Sequence, residues 1–186
     1  DADVEIVHRS PVAAIASGEQ AALDRLDVEA RDGRLIIRMR QYAGDERRAK
    51  RREPLRIKIS ASGLRSLSIM GGGRVQVDRL SGPTVSLSLF GPGVMRVGQV
   101  TADRLKINMI GNGQLQLAGR AKQAEMLLAG ASQVAGADLR VDDLTLQNDG
   151  AGDHQVTAVK RANITARGAG RVLISGQPSC TVQNAG

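Results

Sequence analysis

The stretch Leu87-Ser-Leu-Phe-Gly-Pro-Gly93 decides the fold, because five other segments repeat its alternating residues and closing pair of small residues. These copies are Leu67-Ser-Ile-Met-Gly-Gly-Gly73, Ile107-Asn-Met-Ile-Gly-Asn-Gly113, Met126-Leu-Leu-Ala-Gly-Ala-Ser132, Leu146-Gln-Asn-Asp-Gly-Ala-Gly152 and Ile164-Thr-Ala-Arg-Gly-Ala-Gly170. The first glycines stand at positions 71, 91, 111, 130, 150 and 168, and a seventh copy begins at Val182. A repeat of about 20 residues is typical of solenoid proteins.

Apolar residues recur with a period of two on both sides of each glycine pair. Leu87 and Leu89 precede the pair of the second copy, and Met95 and Val97 follow it. This alternation is typical of strands with one face buried and the other in water. A third apolar position follows in four of the repeats, near Leu80, Val100, Leu139 and Val159.

Short strands joined by glycine corners cannot bury an inner face alone, whereas stacked coils can. The sequence therefore predicts an all-β protein in which residues 55–186 form a right-handed parallel β-helix (β-solenoid) with coils of about 20 residues. We expect residues 1–186 to form one domain. Residues 1–54, with short strands, a hairpin turning at Asp32-Gly33 and a basic loop, are expected to cap its N-terminal end.

Composition argues against several classes of site. Aromatic residues are 1 % of the chain, which disfavours nucleic-acid or sugar sites that depend on stacking. A single cysteine, Cys180, allows no internal disulfide, and we interpret it as a small packing residue. Two histidines, His8 and His154, leave little material for imidazole catalysis or zinc binding. We therefore expect no catalytic residues, no metal and no cofactor.

The net charge of +7 is concentrated in one segment, whose basic residues are Arg47, Arg48, Lys50, Arg51 and Arg52. Such a cluster can attract a polyanion over long range, although a solvated loop is the simpler interpretation. We expect no specific nucleic-acid recognition. No apolar stretch reaches the roughly 20 residues of a membrane span, and the start at Asp1 leaves room for a leader or lipid anchor upstream.

The position before the first glycine holds apolar residues where the alternation points outward: Met70, Phe90 and Ile110, with Val94 nearby. Stacked coils would align them into an exposed apolar stripe, which soluble monomers seldom leave uncovered. One interpretation is cover by the loop that carries Tyr42. The other is an interface for a protein partner or for self-association.

An acidic stretch is the best enzyme-like feature; it comprises Asp138, Asp142, Asp143, Asp149 and Asp153, with His154 beside it. Some β-helical polysaccharide lyases and hydrolases gather carboxylates on adjacent coils. Here, however, no carboxylate aligns with Asp149, since the equivalent positions are Ala129 and Arg167. His154 aligns with inward residues, which predicts a hydrogen-bonded core histidine.

The glycine-pair repeat, the strand Pro54-Leu-Arg-Ile-Lys-Ile-Ser60 and the ending Ser175-Gly-Gln-Pro-Ser-Cys180 resemble the bacterial "putative auto-transporter adhesin, head GIN domain" family. In this chain only Asp153 matches the acid that typically follows the family's glycines. The resemblance implies a β-helical fold and an exported protein of the periplasm, outer-membrane surface or extracellular space. It implies no established activity and supplies no catalytic residues.

These observations together predict a non-catalytic envelope or surface protein that acts as an interaction or adhesion scaffold. Its partner would be a protein or a second copy at the apolar stripe, with a surface glycan or other polyanion as a further candidate. The alternative is a polysaccharide-binding or polysaccharide-cleaving protein that uses Asp149, Asp153 and the neighbouring acids.

Overall fold

A computed structural model describes residues 2–9, 13–24, 26–31, 34–39 and 55–184. These residues are almost entirely β-structure, with one short helical turn. The elements are β1 (Ala2–Val7), β2 (Ala13–Ser17), α1 (Gln20–Leu23), β3 (Leu26–Arg31), β4 (Arg34–Met39), β5 (Leu55–Ser60), β6 (Ser66–Met70), β7 (Arg74–Phe90), β8 (Val94–Gly111), β9 (Gln114–Gly130), β10 (Gln133–Gly150), β11 (His154–Arg167), β12 (Val172–Ser175) and β13 (Ser179–Asn184).

The long strands β7 to β10 have 17 or 18 residues each, and each accounts for most of one coil. Each pairs in parallel with the strand one repeat later, so that Leu87 of β7 lies beside Ile107 of β8, and Ile107 lies beside Met126 of β9. The coils thus stack as a β-solenoid of about six turns with about 20 residues per turn. This confirms the predicted fold class.

The core is a set of apolar columns that run through the stack. One column passes from Val75 through Met95 and Leu115 to Val134, and all four side chains are buried. Since each inward residue contacts its equivalents above and below, the coils bury a continuous apolar interior that no single coil could enclose.

Glycine corners allow successive coils to approach closely. Gly91 and Gly111 have φ values of 106° and 114°, a region that residues with a Cβ rarely adopt. The amide of Gly91 donates a hydrogen bond to the carbonyl of Ile110 at 2.9 Å. A Cβ on Gly111 would lie 3.2 Å from the Cα of Gly91. The repeated glycines are therefore required by the turn itself.

Two sequence interpretations fail toward the C-terminal end. Val159 is 41 % exposed, because the coil between Gly150 and Gly168 is shorter and the register between β10 and β11 shifts. Ala158 takes the inward position in place of Val159. Cys180 pairs with the buried Ala162 but is exposed itself, because no strand of the described chain pairs with the other side of β13.

The N-terminal strands are interleaved with the solenoid. Strand β1 lies between β5 and β7, and Val4 is paired with both Ile57 and Val75. Strand β2 pairs antiparallel with β5, and β3 pairs antiparallel with β4. From β7, one path of paired strands runs through β1 and β5 and ends at β2, and the other runs through β6 and β4 and ends at β3. The predicted hairpin is present as β3 and β4, while its turn at Asp32-Gly33 lies outside the described residues. Within the described ranges, the helical content includes nothing long and apolar enough to cross a membrane.

Candidate functional site

The outward column that precedes the glycine corners is apolar in three successive coils. Met70 pairs with Phe90, and Phe90 pairs with Ile110, so the three residues lie in one line. Met70 is 57 % exposed and Ile110 51 %, while Phe90 is half-buried between them. At about 4.8 Å per coil, the line spans about 10 Å. We call these three residues the apolar stripe.

In the following coils, the same column holds a small residue and then charged residues. Ile110 pairs with Ala129, which is followed by Asp149 and then Arg167. The Asp149 carboxylate accepts a hydrogen bond from the Gln147 amide at 2.7 Å and lies 3.9 Å from the Arg167 guanidinium. The fold thus accepts alanine, an acid and a base at this position. Apolar residues in the first three coils are therefore not a requirement of the solenoid.

Leu127 extends the apolar surface and was not anticipated from the sequence. Its side chain is 43 % exposed, and its strand partner Asn108 lies two residues before Ile110. In the run Met126-Leu127-Leu128, apolar and polar residues do not alternate, so the sequence does not show which of the three points outward. Val94 lies across the glycine corner, half-buried, paired with Arg74 and Gln114.

A shallow groove of about 240 Å³ lies beside the stripe, and both polar and apolar residues line it. Its polar lining residues are Ser86, Ser88, Lys106, Asn108 and Glu125, and its apolar ones are Leu87, Ile107 and Leu127. The Lys106 ammonium lies 3.9 Å from the Glu125 carboxylate. The apolar stripe therefore has a polar rim on this side, an arrangement common at protein interfaces.

The acidic residues of the C-terminal coils are paired with bases from the next coil. Lys160 Nζ lies 2.8 Å from Asp142 Oδ2, and Arg161 Nε lies 2.7 Å from Asp143 Oδ1. The hydrogen bond from Arg161 lowers the pKa of Asp143, and the hydrogen bond to Asp142 raises the pKa of Lys160. Each of these two carboxylates thus forms an ion pair with its own base. In the part of the chain that the structure describes, no three His, Cys, Asp or Glu side chains are grouped to hold a metal.

Two larger grooves follow these ion pairs. One, of about 460 Å³, includes Arg104, Asp143 and Arg161, and the other, of about 630 Å³, includes Asp103 and Lys122. The Lys122 ammonium lies 2.8 Å from the Asp103 carboxylate. Each groove thus contains an ion pair between residues of adjacent coils.

His154 is 2 % exposed, and its Nε2 lies 3.1 Å from Asn148 Oδ1. Burial lowers the pKa of His154 to about 4, and the charge of Asp153 opposes only part of this shift. The prediction of a hydrogen-bonded core histidine is confirmed. Its partner Asn148 and the nearby buried Ser132 were not anticipated, although both polar residues stand at positions where the neighbouring repeats have apolar residues or glycine.

The basic segment with Arg47, Arg48, Lys50, Arg51 and Arg52 lies outside the described residues, and so does Tyr42. Polyanion contact through that segment, and cover of the stripe by its loop, therefore stay predictions.

The fold and the repeated corners define a class, the β-solenoids with glycine-paired repeats. Within that class, the chain belongs to the family described as "Putative auto-transporter adhesin, head GIN domain", whose model matches residues 1–178. The resemblance recognised in the sequence is thereby confirmed, and membership places the chain among adhesin-like surface proteins.

Solved structures share the architecture. A "putative adhesin" from Bacteroides fragilis has a TM-score of 0.69 and 19 % identity, with 99 % of this chain and 88 % of that chain covered. A "putative lipid binding protein" from Parabacteroides distasonis has a TM-score of 0.71 and 16 % identity, covering 100 % and 86 %. A "putative adhesin" from Parabacteroides merdae has a TM-score of 0.65 and 15 % identity, with 99 % of this chain and 88 % of that chain covered. At these identities the likeness shows the fold alone. No curated protein matches the chain significantly.

Proposed function

We propose that the protein is a non-catalytic, exported cell-envelope or surface protein that acts as an interaction scaffold, with the apolar stripe as its contact for a protein partner. The observation that carries this proposal is the composition of one outward column. Met70 and Ile110 are more than half exposed there, whereas the same column holds the ion-paired Asp149 and Arg167 two and three coils after Ile110. Exposed apolar residues that a fold does not need are typical of binding surfaces.

The geometry of the stripe suits a protein ligand. Its residues stand on paired strands, so their spacing is set by the backbone hydrogen bonds between coils. A rigid apolar line with a polar rim matches the apolar anchor residues of a partner, which dominate the energy of protein interfaces. The groove beside the stripe supplies serine hydroxyls and the Lys106–Glu125 pair for the surrounding polar contacts.

We assign no catalytic role to the acidic stretch. An acid–base pair for polysaccharide cleavage needs two carboxylates that converge on one bond. Asp142, Asp143 and Asp149 each lie beside a base of the next coil instead. The ion pairs support a structural role, and the family description, an adhesin, names no reaction.

The proposal is tested with a triple variant, Met70→Glu, Phe90→Glu and Ile110→Glu. Its matched control is Gln76→Glu, Arg96→Glu and Gln116→Glu, which places three glutamates in another exposed outward column, on strands β7, β8 and β9. Both proteins and the wild type are used as baits for native envelope extract at physiological salt. Retained proteins are identified by mass spectrometry and then re-tested in purified form.

We expect the wild type and the control to bind the same purified partner, with at least a hundredfold weaker binding by the stripe variant. Circular dichroism and the thermal midpoint establish that all three proteins are folded. Equal binding by the stripe variant would contradict the assignment of the interface. Retention of no protein by a folded wild type would contradict the scaffold function itself.

A further inference from the structure

Three polar side chains face the interior of the solenoid at one corner. Asn148 is paired with the apolar Leu128, and His154 is paired with Val134. Ser132 occupies the position that is glycine in the preceding repeat, Gly113. Ser132, Asn148 and His154 are exposed by 2 % or less, and they are the buried polar or charged residues of the described chain.

The three side chains satisfy only part of their hydrogen-bonding capacity among themselves. His154 Nε2 and Asn148 Oδ1 form one hydrogen bond of 3.1 Å. Three buried atoms have no partner among the described residues: Ser132 Oγ, Asn148 Nδ2 and His154 Nδ1. Buried polar atoms in folded proteins are nearly always bonded to protein or to ordered water. This corner therefore calls for a further hydrogen-bonding species.

Gly152 and Gly170 of the neighbouring corners lie directly against these side chains. A Cβ on Gly152 would lie 3.1 Å from His154 Cε1, and a Cβ on Gly170 would lie 2.8 Å from Asn148 Nδ2. Both polar side chains thus reach the inner surface of the glycine corner, at points that an alanine side chain would occupy.

The donors and acceptors that remain identify the chemical class of the bound species. If neutral His154 donates from Nε2 to Asn148, the ring leaves an acceptor at Nδ1 and the amide leaves its NH₂ donor. If the amide and the tautomer are both reversed, the ring leaves a donor and the amide leaves an acceptor. The Ser132 hydroxyl can do either. In both cases the corner offers mixed donors and acceptors, whereas an anion needs donors and a cation needs acceptors.

We propose that Ser132, Asn148 and His154 form an internal water-binding site, in which a bound water bridges at least two of the three side chains. Water is the small species that both donates and accepts, and buried waters typically make about three hydrogen bonds to otherwise unsatisfied groups. The site lies inside the solenoid, away from the apolar stripe, and does not depend on the proposed partner binding.

The first test is a high-resolution crystal structure of the wild type. We expect a water within about 2.7–3.2 Å of at least two of the three unpaired atoms. Crystals soaked in bromide or rubidium show whether an ion occupies the corner, through anomalous scattering. An ion there would overturn the proposal, and so would direct protein hydrogen bonds to all three atoms with no water between them.

The second test is a variant that restores the pattern of neighbouring coils, Ser132→Gly, Asn148→Leu and His154→Val. Water magnetic relaxation dispersion counts long-lived internal waters in solution. We expect at least one fewer such water in this variant than in the wild type. Gln147→Leu, on the outer side of the same strand, is the control and should leave the count unchanged.

An unchanged count in the folded triple variant would contradict the site. If that variant does not fold, ¹⁵N NMR of the wild-type imidazole decides the matter in solution. We expect a neutral ring with both nitrogens hydrogen-bonded and a cross-peak to a slowly exchanging water. The absence of a cross-peak from any of the three side chains to a slowly exchanging water would overturn the proposal.

Discussion

The coils built from β6 to β9 differ from those built from β10 to β13, although both belong to the same stack of parallel coils. The earlier coils are apolar inside and carry the exposed stripe outside. The later coils hold Asn148 and His154 inside and carry the ion pairs of Asp142 and Asp143 outside. The comparison teaches that the repeat dictates only which positions face inward. What stands at the outward positions is free to serve binding.

The largest expected effect is a loss of folding stability when a glutamate replaces a buried residue of β8. The same substitution at the next residue, which is exposed, serves as the comparison. Met109 is buried and Ile110 is half exposed. Met109→Glu buries an unpaired carboxylate and should cost about 4 kcal/mol or more, enough to prevent folding of a marginally stable domain. Ile110→Glu should change the free energy of unfolding by less than about 0.5 kcal/mol. Urea denaturation measures both; similar losses would show that Ile110 is a core residue.

The second effect is a loss of stability in acid that originates in the later coils. Since burial lowers the pKa of His154 to about 4, folding favours the neutral ring. Stability is therefore complete above the unfolded pKa of about 6.5 and falls as the pH drops from there toward 4. A difference of about 2.5 pKa units corresponds to about 3 kcal/mol. The measurement is the urea midpoint as a function of pH.

The control for this pH dependence is His154→Val, which copies Val134 and Val172 of the same column. It should remove the loss between pH 6.5 and 4. It should retain the loss at lower pH, where carboxylates with a lowered pKa, such as Asp143, become protonated. An identical pH profile in wild type and variant would show that His154 is not the titrating group.

The smallest expected effect tests whether the stability of the fold depends on which residues stand in the outward column. Asp149→Ile and Arg167→Ile would continue the apolar column into the later coils. Both side chains are substantially exposed and their contact of 3.9 Å is long, so the double variant should change the free energy of unfolding by less than about 0.5 kcal/mol. Chemical denaturation checks this value. A loss of several kcal/mol would mean that the column contributes to the fold.

Local patterns predicted the regular part of the molecule well. The spacing of Gly91 and Gly111 gave the coil length, and alternation placed Phe90 outward and Val134 inward, because these features depend only on nearby residues. The same logic placed His154 in the core.

Features that depend on distant parts of the chain could not be predicted from these local patterns. The insertion of β1 between β5 and β7 pairs residues more than 50 positions apart, and no local pattern encodes it. Val159 was placed inward because the shorter coil was not recognised. Asn148 and Ser132 were missed because a polar residue in an inward column becomes meaningful only when its neighbours across the corner are known.

The central claim is that the apolar stripe is exposed for binding, in contrast to the buried inward columns of the core. Methionine oxidation by dilute peroxide, followed by peptide mass spectrometry, tests it directly. Met70 is 57 % exposed, whereas Met95, Met109 and Met126 are exposed by 1 % or less. We predict that Met70 in the free protein is oxidised at least tenfold faster than those three. Oxidation of Met70 as slow as that of Met95 would show that the stripe is covered within the chain and would contradict the proposed interface.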